Sequence, residues 1–269
     1  MDDEDVRRKA TEEAGRALGE EMAKFPLLFA KAVFYGQRPT RHRPTQINNG
    51  TICLVDFGRG PCGITCWHVL DGYRKAREGI DDVLFQVGST DLDPIAQLID
   101  EDERLDIAVI EFTAKQAGEI TAGGKIGSEF FRPVTWPAPA VHQGEYVVFG
   151  GFPGSMRTLM SFNEIDFPSW SSGGSQVSSA SDYQFVSAFE RLFWVKSFGE
   201  AHNMDLTALG GVSGGPAFVK RRLHWDIVGI VKEYSENYDA MFFASLSSFH
   251  SDGTLEQPIV EQRRERGRW

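Results

Sequence analysis

A serine near the C-terminal end of the chain stands in a setting that suits a nucleophile. Ser213 lies among four glycines and is followed by Pro216 and an apolar run. A serine hydroxyl attacks a carbonyl only when a base removes its proton and donors stabilise the resulting oxyanion. Flanking glycines permit a tight turn in which neighbouring N–H groups point at one spot. Ser213 therefore requires a histidine base and a buried carboxylate elsewhere in the chain.

Two upstream residues supply these partners. His68 lies in an apolar segment, and Asp106 directly precedes an Ile-Ala-Val-Ile run that would bury it. Alternatives remain open: a histidine in an apolar strand is often a core residue, and Asp100 or Asp102 could replace Asp106. A serine before Gly-Gly-Pro is also compatible with a simple turn.

Four motifs together resemble the trypsin/chymotrypsin-like serine peptidases, and bacterial trypsin-like peptidase domains most of all. They are T-x-x-H at residues 65–68, D-I-A-V-I at 106–110, a glycine-rich strand and turn at 144–154, and G-x-S-G-G-P at 211–216. The resemblance covers residues 50–250. The chain order His, Asp, Ser is that of the chymotrypsin arrangement.

This resemblance implies an all-β fold of two six-stranded β-barrels of the chymotrypsin type, with an N-terminal helix. It implies a serine endopeptidase that cleaves protein or peptide substrates and needs no cofactor or metal. Ser213 would be the nucleophile, His68 the general base, and Asp106 the group that fixes the imidazole tautomer. The backbone N–H groups of Gly211 and Ser213 would form the oxyanion hole.

Two departures from the family concern activation and specificity. Val212 precedes the serine where secreted members that mature by clipping carry an aspartate, so activation through a new N-terminal amine is excluded. A loose alignment places the substrate pocket at Thr207, Lys232, Glu233 and Tyr234. Because Thr207 is not acidic, cleavage after Arg or Lys is not expected.

Short runs of β-branched and aromatic residues between turn signals favour a barrel or sandwich over a βαβ fold. A helical turn is expected at 69–77, a bridge between barrels at 118–128, and a loop-rich insertion at 153–202. Strands are predicted at 52–57, 62–68, 83–87, 95–99, 107–112, 146–149, 185–198, 227–231 and 241–246.

The chain divides into two predicted parts. Residues 1–45 would form an amphipathic helix, with apolar residues at helical spacing up to position 24, and a linker. Residues 46–255 would form the peptidase domain, with barrel one at 46–120 and barrel two at 128–250. The helix either packs on the outside of the fold or docks a regulatory protein partner.

Composition limits the cell compartment and the partners. The net charge of −10 over 269 residues disfavours nucleic-acid binding. No apolar run is long enough to span a bilayer, and the acidic N-terminus is unlike a secretory signal. The cysteines number three, Cys53, Cys62 and Cys66, which is not a disulfide framework. We therefore expect a cytoplasmic protein without membrane contacts.

Two other chemistries fit single motifs. Residues 211–215 match the G-x-S-x-G elbow of α/β-hydrolases, but that fold needs a helix after the serine, and Pro216 begins a strand-like run. Three cysteines and His68 could suggest zinc, yet their spacing does not make paired CxxC knuckles. Small buried thiols are the better interpretation.

Two other functions stay open beside the endopeptidase. One is a catalytically silent binding or scaffolding module with a peptidase fold. The other is an esterase that uses the same serine.

Overall fold

The computed structural model describes residues 13, 15, 17–19, 21–37, 47–80, 82–123, 128–161, 164–189, 208–250 and 252–256. Two antiparallel seven-stranded sheets dominate these residues. The predicted all-β fold with an N-terminal helix is confirmed; the second sheet forms a closed six-stranded barrel, and the first is a curled half-barrel.

The first sheet has the strand order β5-β4-β1-β2-β3-β7-β6. Its strands are β1 (Ala30–Gln37), β2 (Asn48–Asp56), β3 (Pro61–Thr65), β4 (Val83–Val87), β5 (Thr90–Asp91), β6 (Leu98–Asp102) and β7 (Ile107–Glu111). Within the described residues its edge strands do not pair with each other, so this sheet is curled but open. Helix α1 (Trp67–Arg77) follows β3, and helix α2 (Ala114–Ala122) follows β7.

The second sheet closes on itself because β8 pairs with β14 as well as β12. Its strands are β8 (Tyr146–Gly151), β11 (Trp170–Ser171), β12 (Ser175–Ala180), β13 (Gln184–Ala188), β14 (Pro216–Arg221), β15 (His224–Ser235) and β16 (Ala240–Ser245). A separate hairpin of β9 (Thr158–Ser161) and β10 (Glu164–Asp166) precedes β11. Closure pairs the strand that follows Ser213, β14, with residues 147–149 of β8.

The N-terminal segment packs between the two sheets. Residues 17–19 and 21–24 are helical, and a 3-10 helix follows at Phe25–Phe29. Phe25 stacks on Trp225 with ring centroids 4.5 Å apart and meets Phe218 edge to face at 5.1 Å. These aromatic contacts bury large apolar surfaces and join the segment to the closed barrel. Half of the predicted helix, residues 1–12, falls outside the described residues, as do residues 14, 16 and 20.

Strand β1 lies upstream of residue 46, where the sequence placed the start of the peptidase domain. It pairs with β2 from Ala30↔Cys53 to Tyr35↔Asn48, and with β4 on its other side. Five of its residues in a row are buried, so its sequence has no alternating pattern to mark a strand.

Three expectations about secondary structure need correction. The expected strand at 95–99 instead occupies Leu98–Asp102, an edge strand with three acidic residues. The expected bridge at 118–128 contains much of α2, whose start carries a capping box of Thr113 and Gln116. The expected loop-rich insertion includes β12 and β13, which belong to the closed barrel. Strand β13 overlaps the strand expected at 185–198, whereas β12 was missed because it is rich in serine and has one β-branched residue.

Candidate active site

His68 lies in the first turn of a helix rather than in the predicted strand 62–68. Strand β3 ends at Thr65, Cys66 occupies the N-cap with extended backbone angles, and α1 begins at Trp67. The histidine side chain is 48% exposed, so it faces a solvent-accessible surface instead of the core. This position contradicts the core-histidine alternative.

Asp106 sits in the tight loop that joins β6 to β7. The carboxylate of Asp102 accepts hydrogen bonds from the backbone N–H groups of Arg104 (2.7 Å) and Leu105 (3.0 Å), which fixes the turn. Asp106 itself adopts a left-handed φ of 59°. Few residue types tolerate this region, although Asp and Asn do so more readily than most. Strained non-glycine residues of this kind cluster at functional sites.

The two side chains are directly paired. His68 Nδ1 lies 2.9 Å from Asp106 Oδ2 and 3.0 Å from Oδ1, and the backbone N–H of His68 donates to Oδ1 at 3.0 Å. The Asp106 side chain is only 14% exposed. A carboxylate in this place keeps the imidazole proton on Nδ1 and leaves Nε2 free to accept one. The alternative carboxylate Asp100 instead accepts the N–H of Leu255 at 2.9 Å.

Ser213 occupies the turn before β14. Its hydroxyl donates a 2.8 Å hydrogen bond to the carbonyl oxygen of Lys232. Ser213 and His68 are both described by the structure, and their side chains are not hydrogen-bonded to each other. The chain continues from Pro216 as β14. A strand after the serine excludes the nucleophile elbow of an α/β-hydrolase, which requires a helix.

One carbonyl oxygen connects the base segment to the serine turn. Val231 O, on β15, accepts the thiol of Cys66 at 3.1 Å and the backbone N–H of Gly214 at 2.8 Å. Cys66 is two residues before the histidine, and Gly214 directly follows the serine. The chain segments that carry His68 and Ser213 are therefore both hydrogen-bonded to one carbonyl oxygen.

The buried thiol of Cys66 also lies against the acid. Burial raises the pKa of Cys66 well above its ordinary value, and the nearby Asp106 carboxylate raises it further. The sulfur of Cys66, a ring nitrogen of His68 and a carboxylate oxygen of Asp106 all lie within 4.8 Å of one another. Within this trio His68 Nδ1 is already bonded to Asp106 Oδ2 at 2.9 Å, so the thiol lies beside a paired base and acid.

The other two thiols take no part in this cluster. Cys53 and Cys62 are buried and free, as is Cys66, so the expectation of small buried thiols is confirmed. Burial raises the pKa of Cys62 to about 12. A thiol with this pKa does not ionise at neutral pH, and it is therefore chemically quiet.

Two glycines of the serine turn are required by its geometry. Gly211 has a φ of 99° and Gly214 a φ of 91°. A Cβ on Gly214 would collide with the carbonyl oxygen of Thr51, and one on Gly211 would collide with the amide of Asn49. Only glycine combines this backbone conformation with such close packing.

A cleft of about 250 Å³ opens beside Ser213. Of the residues predicted to bind substrate, Glu233 and Tyr234 line it, whereas Lys232 contributes its carbonyl to the serine instead. Thr207 lies outside the described residues. Sequence reasoning missed Glu236, which lies in the turn after β15, because that turn has no sequence signal for a pocket. Two carboxylates thus border the cleft.

Within the described part of the chain, none of the helices has the length and apolar character needed to cross a membrane.

Comparisons with known proteins give structural likenesses only. No protein-family model matches the sequence, and no curated protein matches it significantly. Among solved structures, the active form of the Rv3671c protease from M. tuberculosis is 12% identical, with 81% of this chain and 77% of that chain covered and a TM-score of 0.40. Catalytically inactive tobacco etch virus protease in complex with substrate is 13% identical, with 82% and 80% covered and a TM-score of 0.44.

A structure concerned with the coupled folding and binding of the intrinsically disordered Sesbania mosaic virus VPg protein is also similar. It is 14% identical, with 80% of this chain and 85% of that chain covered and a TM-score of 0.41. At such identities and scores these likenesses carry no functional argument.

Proposed function

We propose that this protein is a serine endopeptidase that hydrolyses peptide bonds with Ser213, His68 and Asp106. The observation that carries the proposal is the 2.9 Å pairing of His68 with Asp106, held beside the serine turn through the shared carbonyl of Val231. The pair leaves His68 Nε2 as a free base, and the glycine turn presents a hydroxyl.

The reaction would follow the acyl-enzyme route. The Ser213 hydroxyl turns from Lys232 O to His68 Nε2, gives up its proton there and bonds to the substrate carbonyl carbon. The N–H groups of Gly211 and Ser213 stabilise the oxyanion that forms. The imidazolium, stabilised by Asp106, then protonates the leaving amine as the C–N bond breaks. Water activated by His68 releases the acyl group and restores the serine.

The cleft beside Ser213 would receive a substrate side chain. Glu233 and Tyr234 line this cleft, and Lys232, which precedes them on β15, accepts the Ser213 hydroxyl at its carbonyl oxygen. Thr207, which the alignment assigns to the same pocket, completes the proposed substrate-binding set. Glu233 and Glu236 give the cleft a negative rim, which favours a basic side chain over an acidic one. This proposal replaces the expectation, drawn from Thr207 alone, that the protein does not cleave after Arg or Lys.

The test is labelling by a fluorophosphonate, which modifies only activated serines. Wild-type protein and Ser155→Ala should be labelled, and Ser213→Ala should not. Ser155 is a suitable control because its hydroxyl lies nearby, where it donates to Ala208 O at 2.8 Å. Labelling that persists in Ser213→Ala would assign the reactive serine elsewhere and contradict the proposal.

A second candidate function is a peptidase-fold binding module that does not cleave. The hydrogen bond from Ser213 to Lys232 O favours it, since this hydroxyl is not directed at His68. Wild-type protein that binds peptides yet resists the probe at every pH and salt concentration would support the module. An esterase, the third alternative, would turn over esters through Ser213 while leaving matched peptides intact.

We further propose a cytoplasmic location and a regulatory role for the N-terminal segment. Three free, buried cysteines suit a reducing compartment. Aromatic stacking of Phe25 on Trp225 connects the end of that segment to the closed barrel. A protein partner that binds residues 1–24 could act on the barrel through this contact. Co-purification with and without residues 1–24 tests whether they recruit a partner.

A further inference from the structure

Four consecutive carbonyl oxygens of the serine turn each accept a hydrogen bond. Gly210 O accepts the N–H of Gly154 at 2.7 Å, and Val212 O accepts that of Gly215 at 2.8 Å. The other two carbonyls are held by a single residue of the first sheet. Thr51 Oγ1 donates to Gly211 O at 2.7 Å, and Thr51 N–H donates to Ser213 O at 2.8 Å.

These bonds determine where the free N–H groups of the turn point. In a planar trans peptide, the N–H points away from the carbonyl of the preceding residue. The bond at Gly210 O therefore directs the N–H of Gly211, and the bond at Val212 O directs the N–H of Ser213. These are the two proposed oxyanion donors. The peptide between them, from Gly211 to Val212, is held by the Thr51 hydroxyl.

Thr51 is itself rigidly placed. It is fully buried, and its carbonyl accepts the hydroxyl of Thr65 at 2.7 Å. Its own hydroxyl also accepts the N–H of Phe152 at 3.0 Å, so both functions of that oxygen are used. Because the hydroxyl both donates and accepts a hydrogen bond, the Thr51 side chain is held in one rotamer. It can therefore fix the position of the serine turn.

We propose that Thr51 is a positioning residue for the oxyanion hole and fixes the Gly211–Val212 peptide from across the junction between the two sheets. This inference rests on the proposed function, because it concerns the donors of that reaction. The bond spans 160 residues of sequence, so folding of the first sheet determines whether the second presents its donors correctly.

The kinetic test uses Thr51→Val, which keeps the branched shape and removes the hydroxyl. Loss of one oxyanion donor costs about 10²–10³-fold in kcat, and a loosened donor pair should cost about 10–100-fold. KM should change little, and Thr51→Ser should restore most of kcat. The control is Thr90→Val, a buried threonine whose hydroxyl has no hydrogen-bond partner among the described residues. A kcat for Thr51→Val within twofold of Thr90→Val would overturn the proposal.

A second measurement separates this inference from the proposed activity. NMR measures the amide hydrogen exchange rates of Gly154 and Gly215, whose N–H groups donate to Gly210 O and Val212 O of the turn. Both should exchange at least about tenfold faster in Thr51→Val than in Thr90→Val, because the turn loosens as a unit. Unchanged exchange would refute the positioning role. If the wild-type protein is neither labelled by the fluorophosphonate nor active, the proposed peptidase function is refuted. The amide exchange rates would then still test whether Thr51 positions the turn.

Discussion

The two sheets contribute to the candidate site in different ways. The first provides His68 and Asp106 as side chains already bonded to each other, from α1 and the β6–β7 loop of the same sheet. The second provides Ser213 and two backbone N–H groups from a turn that is held partly by the first sheet, through two hydrogen bonds from Thr51. One half is organised by side-chain pairing, and the other by hydrogen bonds to its backbone.

This difference predicts distinct sensitivities. The His68–Asp106 pair should lose activity when the Asp106 carboxylate is replaced by a neutral group, even though the fold is unchanged. The serine turn should lose activity when its backbone shape changes, through substitution of its glycines or of Thr51, even though the Ser213 hydroxyl remains. Val231 O belongs to both halves, since it accepts bonds from Cys66 and Gly214.

The largest effect is expected from Asp106→Asn. Asparagine tolerates the φ of 59°, so the loop should keep its shape while the imidazole loses the carboxylate that sets its tautomer. We expect kcat for peptide hydrolysis to fall by about 10⁴-fold with little change in Tm. Asp100→Asn, which removes the rejected alternative, should retain its rate. Equal losses in both variants would argue against the assigned pair.

The next effect is expected from Gly214→Ala, compared with Gly58→Ala. Both glycines have φ near 90°, but only a Cβ at Gly214 meets another atom, the carbonyl oxygen of Thr51. The left-handed conformation costs about 1–2 kcal/mol in each variant. Gly214→Ala should unfold at a lower temperature than Gly58→Ala and lose about 10²–10³-fold in kcat. Thermal unfolding and peptide hydrolysis measure the two losses. Similar Tm values for both would show that the turn is free to move away from Thr51.

A smaller effect is expected from Cys66→Ala. This change removes the thiol bond to Val231 O, while Val231 O keeps the N–H of Gly214. One hydrogen bond is worth about 0.5–1.5 kcal/mol, so kcat should fall by about 2–10-fold. Cys53→Ala, at an equally buried thiol, should lower Tm without a change in kcat. A kcat loss shared by both variants would indicate general loosening of the first sheet.

The smallest effect is expected from Glu233→Gln at the rim of the cleft. An exposed charge interaction is worth about 0.2–1 kcal/mol, so the preference for lysine over norleucine in the substrate should fall by about 1.5–5-fold. Paired substrates that differ only at this side chain measure the ratio of kcat/KM values. Glu164→Gln, on the hairpin strand β10, is the matched control. An unaltered ratio would place the recognised side chain elsewhere.

Local sequence patterns were sufficient for most strands but not for their ends. Regular alternation or β-branched runs identified β4, β7 and β16, close to the limits seen in the structure. Strand β1 was missed because it is buried on both faces, and the start of α1 was misplaced because an apolar strand continues directly into an apolar helix. Alternation of apolar and polar residues reveals a strand that has one buried face and one exposed face. A strand that is buried on both faces has no such alternation.

The sequence by itself determined which residues could do chemistry: a serine in a glycine turn, a histidine and an acid before an apolar run. It did not determine that Cys66 and Gly214 share one carbonyl oxygen, that Thr51 holds the turn, or that Glu236 borders the cleft. Those contacts join residues far apart in the chain, and they arise only when two separately patterned sheets pack together. A hydrogen bond between distant segments leaves no periodic trace in either segment, so tertiary structure alone decides it.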